Sequence, residues 1–189
     1  MSTSWLPLSV ISVVILYSVV KSLRKTACSA GARRARTATT KNTFLIALSE
    51  SERTQFGGLA FSEQTGPQQV FSAIWEMEAD VNNGGFHQYF SNSGGDTAAF
   101  APVALRTIGA AACADIVERA MRLVSNAPIS SAREERQRLL DGLPAQKLRA
   151  LSELDEQFYS YPDNLTVLLF EFVQSHPEEF GQTPANLPN

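Results

Sequence analysis

The sequence predicts an all-α protein: a compact multi-helix bundle with a single N-terminal transmembrane helix. Three observations carry this. From about residue 42 apolar residues recur at helical spacing, with no run that alternates as a strand would. Proline, glycine and asparagine punctuate the chain at intervals of helix length. Met1 to Val20 carries no charge, and a basic cluster follows at once.

The elements follow in order. Residues 5–20, WLPLSVISVVILYSVV, are almost continuously apolar. As a helix, a run of this kind spans most of a bilayer core of about 30 Å. Lys21, Arg24 and Lys25 lie directly behind it. Positive charge on that side places the C-terminal domain in the cytoplasm. Residues 1–25 therefore read as a membrane anchor with a basic flank, and 26–41 as a flexible basic linker. Residues 42–181 read as the helical domain and 182–189 as a disordered tail. Within the domain, Gly66-Pro67 opens a helix, since proline suits its first turn. Asn82-Asn83-Gly84-Gly85 ends it near Val81, because asparagine and glycine tolerate the left-handed conformation. A short helix to Asn92 follows and breaks at Gly94-Gly95. Asp96 or Thr97 caps a helix ending near Gly109. Further helices span 110–124 and 145–159, with a polar, exposed stretch at 131–140 between them. Pro162-Asp163 opens the last long helix, which is apolar on nearly every side and so belongs in the middle of the bundle.

Composition narrows the function. Apolar residues make up 44% and charged residues 19%, which supports a packed core and excludes a wholly disordered chain. Two cysteines, Cys28 and Cys113, build no disulfide framework, and with two histidines no zinc site of the usual kind is expected. No metal and no cofactor is expected. The net charge of −3 is divided unevenly. The first 40 residues hold six basic groups and no acid; the remainder holds ten basic against nineteen acidic groups, a net −9.

Two acids stand where a helix should be apolar. On a wheel of about 100° per residue, Glu78 falls inside the arc of Val70, Phe71, Ile74, Met77 and Val81, with Asn82 one turn on. Glu76 and Asp80 fall on the opposite, solvated side. Asp155 likewise lies among Leu148, Leu151 and Phe158, while Glu153 and Glu156 face away. A carboxylate taken from water needs donors or a raised pKa. The backbone N–H groups of the glycine turn, with Asn82, Gln88 and Tyr89, are the nearest donors to Glu78 in sequence. The candidate polar motif is thus Glu78, Asn82, Asn83, Gly84, Gly85, His87, Gln88, Tyr89, Asn92 and Asp155. It reads first as a network that pins the turn against the bundle. No catalytic residue is assigned, and the chain reads as a non-enzyme before it reads as an enzyme. The glycines form no phosphate loop, since no GxGxxG or Walker pattern is present.

Residues 78–96, EADVNNGGFHQYFSNSGGD, resemble the signature of a bacterial domain family named after a DNA mimic protein. LRTIGA at 105–110 and LSELDEQFYSYPDNL at 151–165 are similar to the family's later blocks. The resemblance implies an all-helical fold. It also implies a partner, because the member that gives the family its name presents acidic side chains, in the manner of DNA phosphates, to a helix-turn-helix regulator. On this basis the expected function is a membrane-anchored interaction module that binds a basic protein and does not bind nucleic acid directly. Glu76, Asp80, Glu153 and Glu156 are its candidate exposed acidic contacts. The alternative is a small hydrolase or ligand-binding domain with a polar site around Glu78 and the Asn-Asn-Gly-Gly turn.

Overall fold

The computed structural model describes residues 40–49 and 58–181. All regular structure among them is helical. Residues 40–49 form α1, and a 3-10 turn at Phe61–Glu63 leads into α2, Gly66–Ser91. A second 3-10 turn at Ser93–Thr97 precedes α3 (Ala101–Thr107), α4 (Ala111–Val124), α5 (Arg133–Asp141), α6 (Ala145–Tyr159), α7 (Leu165–Gln174) and the short α8 (Pro177–Phe180).

The helix starts have local causes. The Gln68 side chain accepts the Thr65 N–H at 3.1 Å, and Pro67 sits in the first turn of α2. Asn164 caps α7, its Oδ1 accepting the Val167 N–H at 3.1 Å. The α4 N-terminus takes its acid from far along the chain: Asp163 Oδ2 accepts the Cys113 N–H at 2.8 Å, satisfying one of the donors a helix leaves unpaired.

The hub of the bundle is α2, not α7. Val70, Phe71, Ile74, Met77 and Val81 are buried along its first half, each contributing about 1.5–3 kcal/mol of apolar burial. Against α2 pack α3, α5 and α6, and α4 closes on α3 and α6. Helix α7 buries Leu165, Leu169, Phe170 and Val173. Part of its remaining surface is covered by α1. Phe44 meets the Phe170 ring edge-on at 5.6 Å, and the Lys41 ammonium sits 5.0 Å from the same ring. The all-round apolar character of α7 is therefore met in part by α1, whose Leu45 and Leu48 belong to the same core.

Three expectations are corrected. Among the described residues no helix is long and apolar enough to cross a membrane, so the expected single-pass transmembrane localisation does not stand. The longest described helix, α2, is broken by glycines and carries Glu76, Glu78 and Asp80. The apolar run at 5–20, most of the basic linker and the tail at 182–189 lie outside the described residues. The helix expected from Asp96 begins only at Ala101, because Asp96 and Thr97 lie inside the 3-10 turn at Ser93–Thr97, where Asp96 Oδ1 accepts from Arg136. The stretch 131–140 is not uniformly exposed: Arg136 and Leu140 are buried.

Candidate functional site at the glycine turn

Helix α2 is two helices joined at a kink. Gly84 (φ −162°, ψ 28°) and Gly85 (φ 72°, ψ −175°) leave helical geometry, and the chain resumes its helix from Phe86 to Ser91. Only glycine adopts the Gly85 backbone at little cost. A Cβ there would also lie 2.7 Å from Asp155 Cγ. That carboxylate occupies the space for a reason: Asp155 Oδ1 accepts the Phe86 N–H at 2.7 Å, capping the restarted helix. Burial raises the Asp155 pKa, and the Phe86 N–H opposes the rise. Tyr159, one turn on, donates from Oη to the Val81 carbonyl at 3.0 Å, on the other side of the kink. Helix α6 thus clamps both halves of α2.

The polar motif of the sequence separates into three places. Asp155 and Gly85 form the clamp. Asn92 and Gln88 join Asp80: Asn92 Nδ2 donates to Asp80 Oδ1 at 2.7 Å and Gln88 Nε2 at 3.4 Å. Asp80 is therefore half-buried and bonded rather than solvated, because the kink folds the second half of α2 back over it. Glu78 and Asn82 form the third place. Asn83, Gly84 and His87 are exposed. Tyr89 is fully buried. Burial raises the pKa of its hydroxyl. Glu76, Glu153 and Glu156 are on the surface.

Glu78 does not take its donors from the turn or from Gln88 or Tyr89, as expected. Its partner is Tyr161, whose hydroxyl donates to Oε1 at 3.0 Å and accepts from Asn82 Nδ2 at 2.6 Å. Burial raises the Glu78 pKa, partly offset by the tyrosine hydrogen bond. Burial, reinforced by the Glu78 charge, raises the Tyr161 pKa to about 12. Tyr161 holds φ at 48°, the one non-glycine residue with positive φ among those described.

Sequence reasoning also missed Arg136. Its guanidinium is wholly buried and donates to the Phe90, Asn92, Ser130 and Ser131 carbonyls and to Asp96 Oδ1, at 2.5–3.0 Å. The 3-10 turn at Ser93–Thr97 wraps it so closely that a Cβ on Gly95 would lie 2.8 Å from Nε. One signal was present: Arg136 stands one turn before Leu140, on the helix's apolar stripe.

Fold and site together define an all-helical domain built around a kinked central helix and a buried arginine. The chain belongs to the DMP19-like protein family, whose model matches residues 62–176. That span runs from the first 3-10 turn to the end of α7 and includes Glu78, Asp155, Tyr161 and Arg136. No curated protein and no solved structure matches the chain.

Proposed function

We propose that the domain is an interaction module whose carboxylate-bearing surface engages a basic protein. The observation that carries the reading is the acidic face of α2. Glu76 is exposed, and its pKa is raised by partial burial and by the neighbouring charges of Asp80 and Asp96. Holding like charges together costs free energy that a cationic partner would recover. Arg136 reaches this face only at Asp96, Lys41 is buried against Phe170, and Arg106 is held by Asp115 and Glu118 at 2.6 Å each, so among the described residues no cation pairs with Glu76 or Asp80. Membership of a family named for DNA mimicry supports the same direction and makes a DNA-binding regulator the first partner to try. Such a face repels phosphate, so direct nucleic-acid binding forms no part of the reading.

The test is affinity capture on the full chain, wild type beside Glu76→Gln and the pair Glu153→Gln/Glu156→Gln. A partner retained at low salt, released as salt rises and lost with one of the variants is the expected result. Equal capture by all three chains would overturn the reading.

A further inference from the structure

Beside the kink, α2, α1, α7 and the loop before α7 enclose an open groove of about 360 Å³, lined by Trp75, Glu78, Asn82, Tyr161, Ile46 and Thr166 among others. Its size falls at the small end of ligand pockets, about 300–1,000 Å³. Trp75, Glu78 and Asn82 share it because they stand three and four residues apart on one helix face.

The polar chemistry of this groove is one-sided. The hydroxyl proton of Tyr161 goes to Glu78, and Asn82 spends an N–H on Tyr161. What remains open is acceptor capacity: the second Glu78 oxygen and the Asn82 carbonyl oxygen, neither of which accepts a hydrogen bond among the described residues. Glu78 is half-buried, yet no lysine, arginine or histidine among the described residues pairs with it. By contrast, Arg136 has Asp96, Asp155 has the Phe86 N–H and Asp163 has the Cys113 N–H, whereas Glu78, like half-buried Glu179, has only a hydroxyl donor. The half-buried ring of Trp75 and the ring of Tyr161 supply aromatic surface beside the carboxylate. Tyr161 is held at positive φ to close the arrangement, and backbone strain of this kind collects at ligand sites.

We propose that this groove is a binding site for a guanidinium group. A planar cation that donates to the Glu78 carboxylate and the Asn82 carbonyl while lying against an aromatic ring satisfies every open feature at once. A free small guanidinium compound and an arginine side chain share that chemistry. The proposal stands apart from the acidic-face reading, which concerns Glu76 and the opposite side of α2.

The experiment is calorimetric titration of the full chain with methylguanidinium and with N-acetyl-arginine amide, using N-methylurea as a neutral control of similar shape. Saturable binding of a guanidinium probe is expected, with N-methylurea about tenfold weaker or worse. Glu78→Gln should weaken the guanidinium probes about tenfold or more, and Glu134→Gln, at an exposed position of α5, should leave them unchanged. Tighter binding of N-acetyl-arginine amide assigns the site to a side chain; tighter binding of methylguanidinium assigns it to a free ligand. No saturable binding of either probe, or an equal response to N-methylurea, would overturn the proposal. That comparison is made on the wild-type chain and does not depend on a variant folding. Wild-type affinity in a folded Glu78→Gln chain would overturn it as well.

Discussion

Arg136 and Glu78 are both charged groups drawn out of water by the same bundle, and they are treated in opposite ways. Arg136 is surrounded by four backbone carbonyls and one carboxylate, with no exposed surface left. Glu78 has a single neutral donor, Tyr161, and lines a groove. A sealed, fully bonded charge fixes backbone segments from α2, the 3-10 turn and the loop before α5 into one arrangement. A half-satisfied charge beside open space is available to something else. The difference separates a structural centre from a candidate binding site more sharply than residue type does, since both groups are ionisable and both sit on helices with an apolar stripe.

The largest expected effect lies at the sealed centre. Arg136→Ala should cost about 3–5 kcal/mol in urea melts, because it leaves the four carbonyls and Asp96 without their common donor. A loss below about 1 kcal/mol would end the claim that this charge organises the fold. Next comes the clamp. Gly85→Ala forces a side chain into a positive-φ position and onto the Asp155 carboxylate, and should cost about 1–3 kcal/mol. Asp155→Ala removes the partner of the Phe86 N–H and should cost about 1–2 kcal/mol. A coupling between these two changes in a double-mutant cycle would show that they act on one contact.

The open site should respond to pH more than to truncation. Burial raises the pKa of Glu78 in the folded chain. Its contribution to stability is therefore fully present below the unfolded carboxyl pKa of about 4.3 and is lost as pH rises through the higher folded value. Glu78→Gln, which cannot ionise, should flatten the pH dependence of urea melts as pH rises above the unfolded carboxyl pKa of about 4.3. It should be neutral or slightly stabilising at higher pH. A Glu78→Gln chain that loses stability most at pH 7 would mean that the ionised carboxylate is well bonded, and the contrast with Arg136 would fail. The smallest effect belongs to Glu76→Ala, within about 0.5 kcal/mol, because Glu76 is exposed and makes no ion pair among the described residues.

The chain's own periodicity determined the helical class, the break at Gly84-Gly85 and the inward placement of Glu78 and Asp155, since each depends on neighbours within a turn or two. Helix spacing places a side chain on a face, and a glycine permits a backbone angle wherever it stands. Partner choice obeys no such local rule. Tyr161 reaches Glu78 from 83 residues away and Arg136 reaches Phe90 from 46, separations at which no periodic pattern links the pair. Asp80 falls on the solvated side of its own helix and is half-buried only because the kink returns Asn92 to it at 2.7 Å. Arg136 has only its place one turn before Leu140 to mark it, and its sealing comes from the turn at Ser93–Thr97 that closes around it. Which charges the bundle seals and which it leaves open was decided by tertiary packing, because desolvation depends on every element that covers a group, and those elements are set by the fold rather than by the residues beside it in the chain.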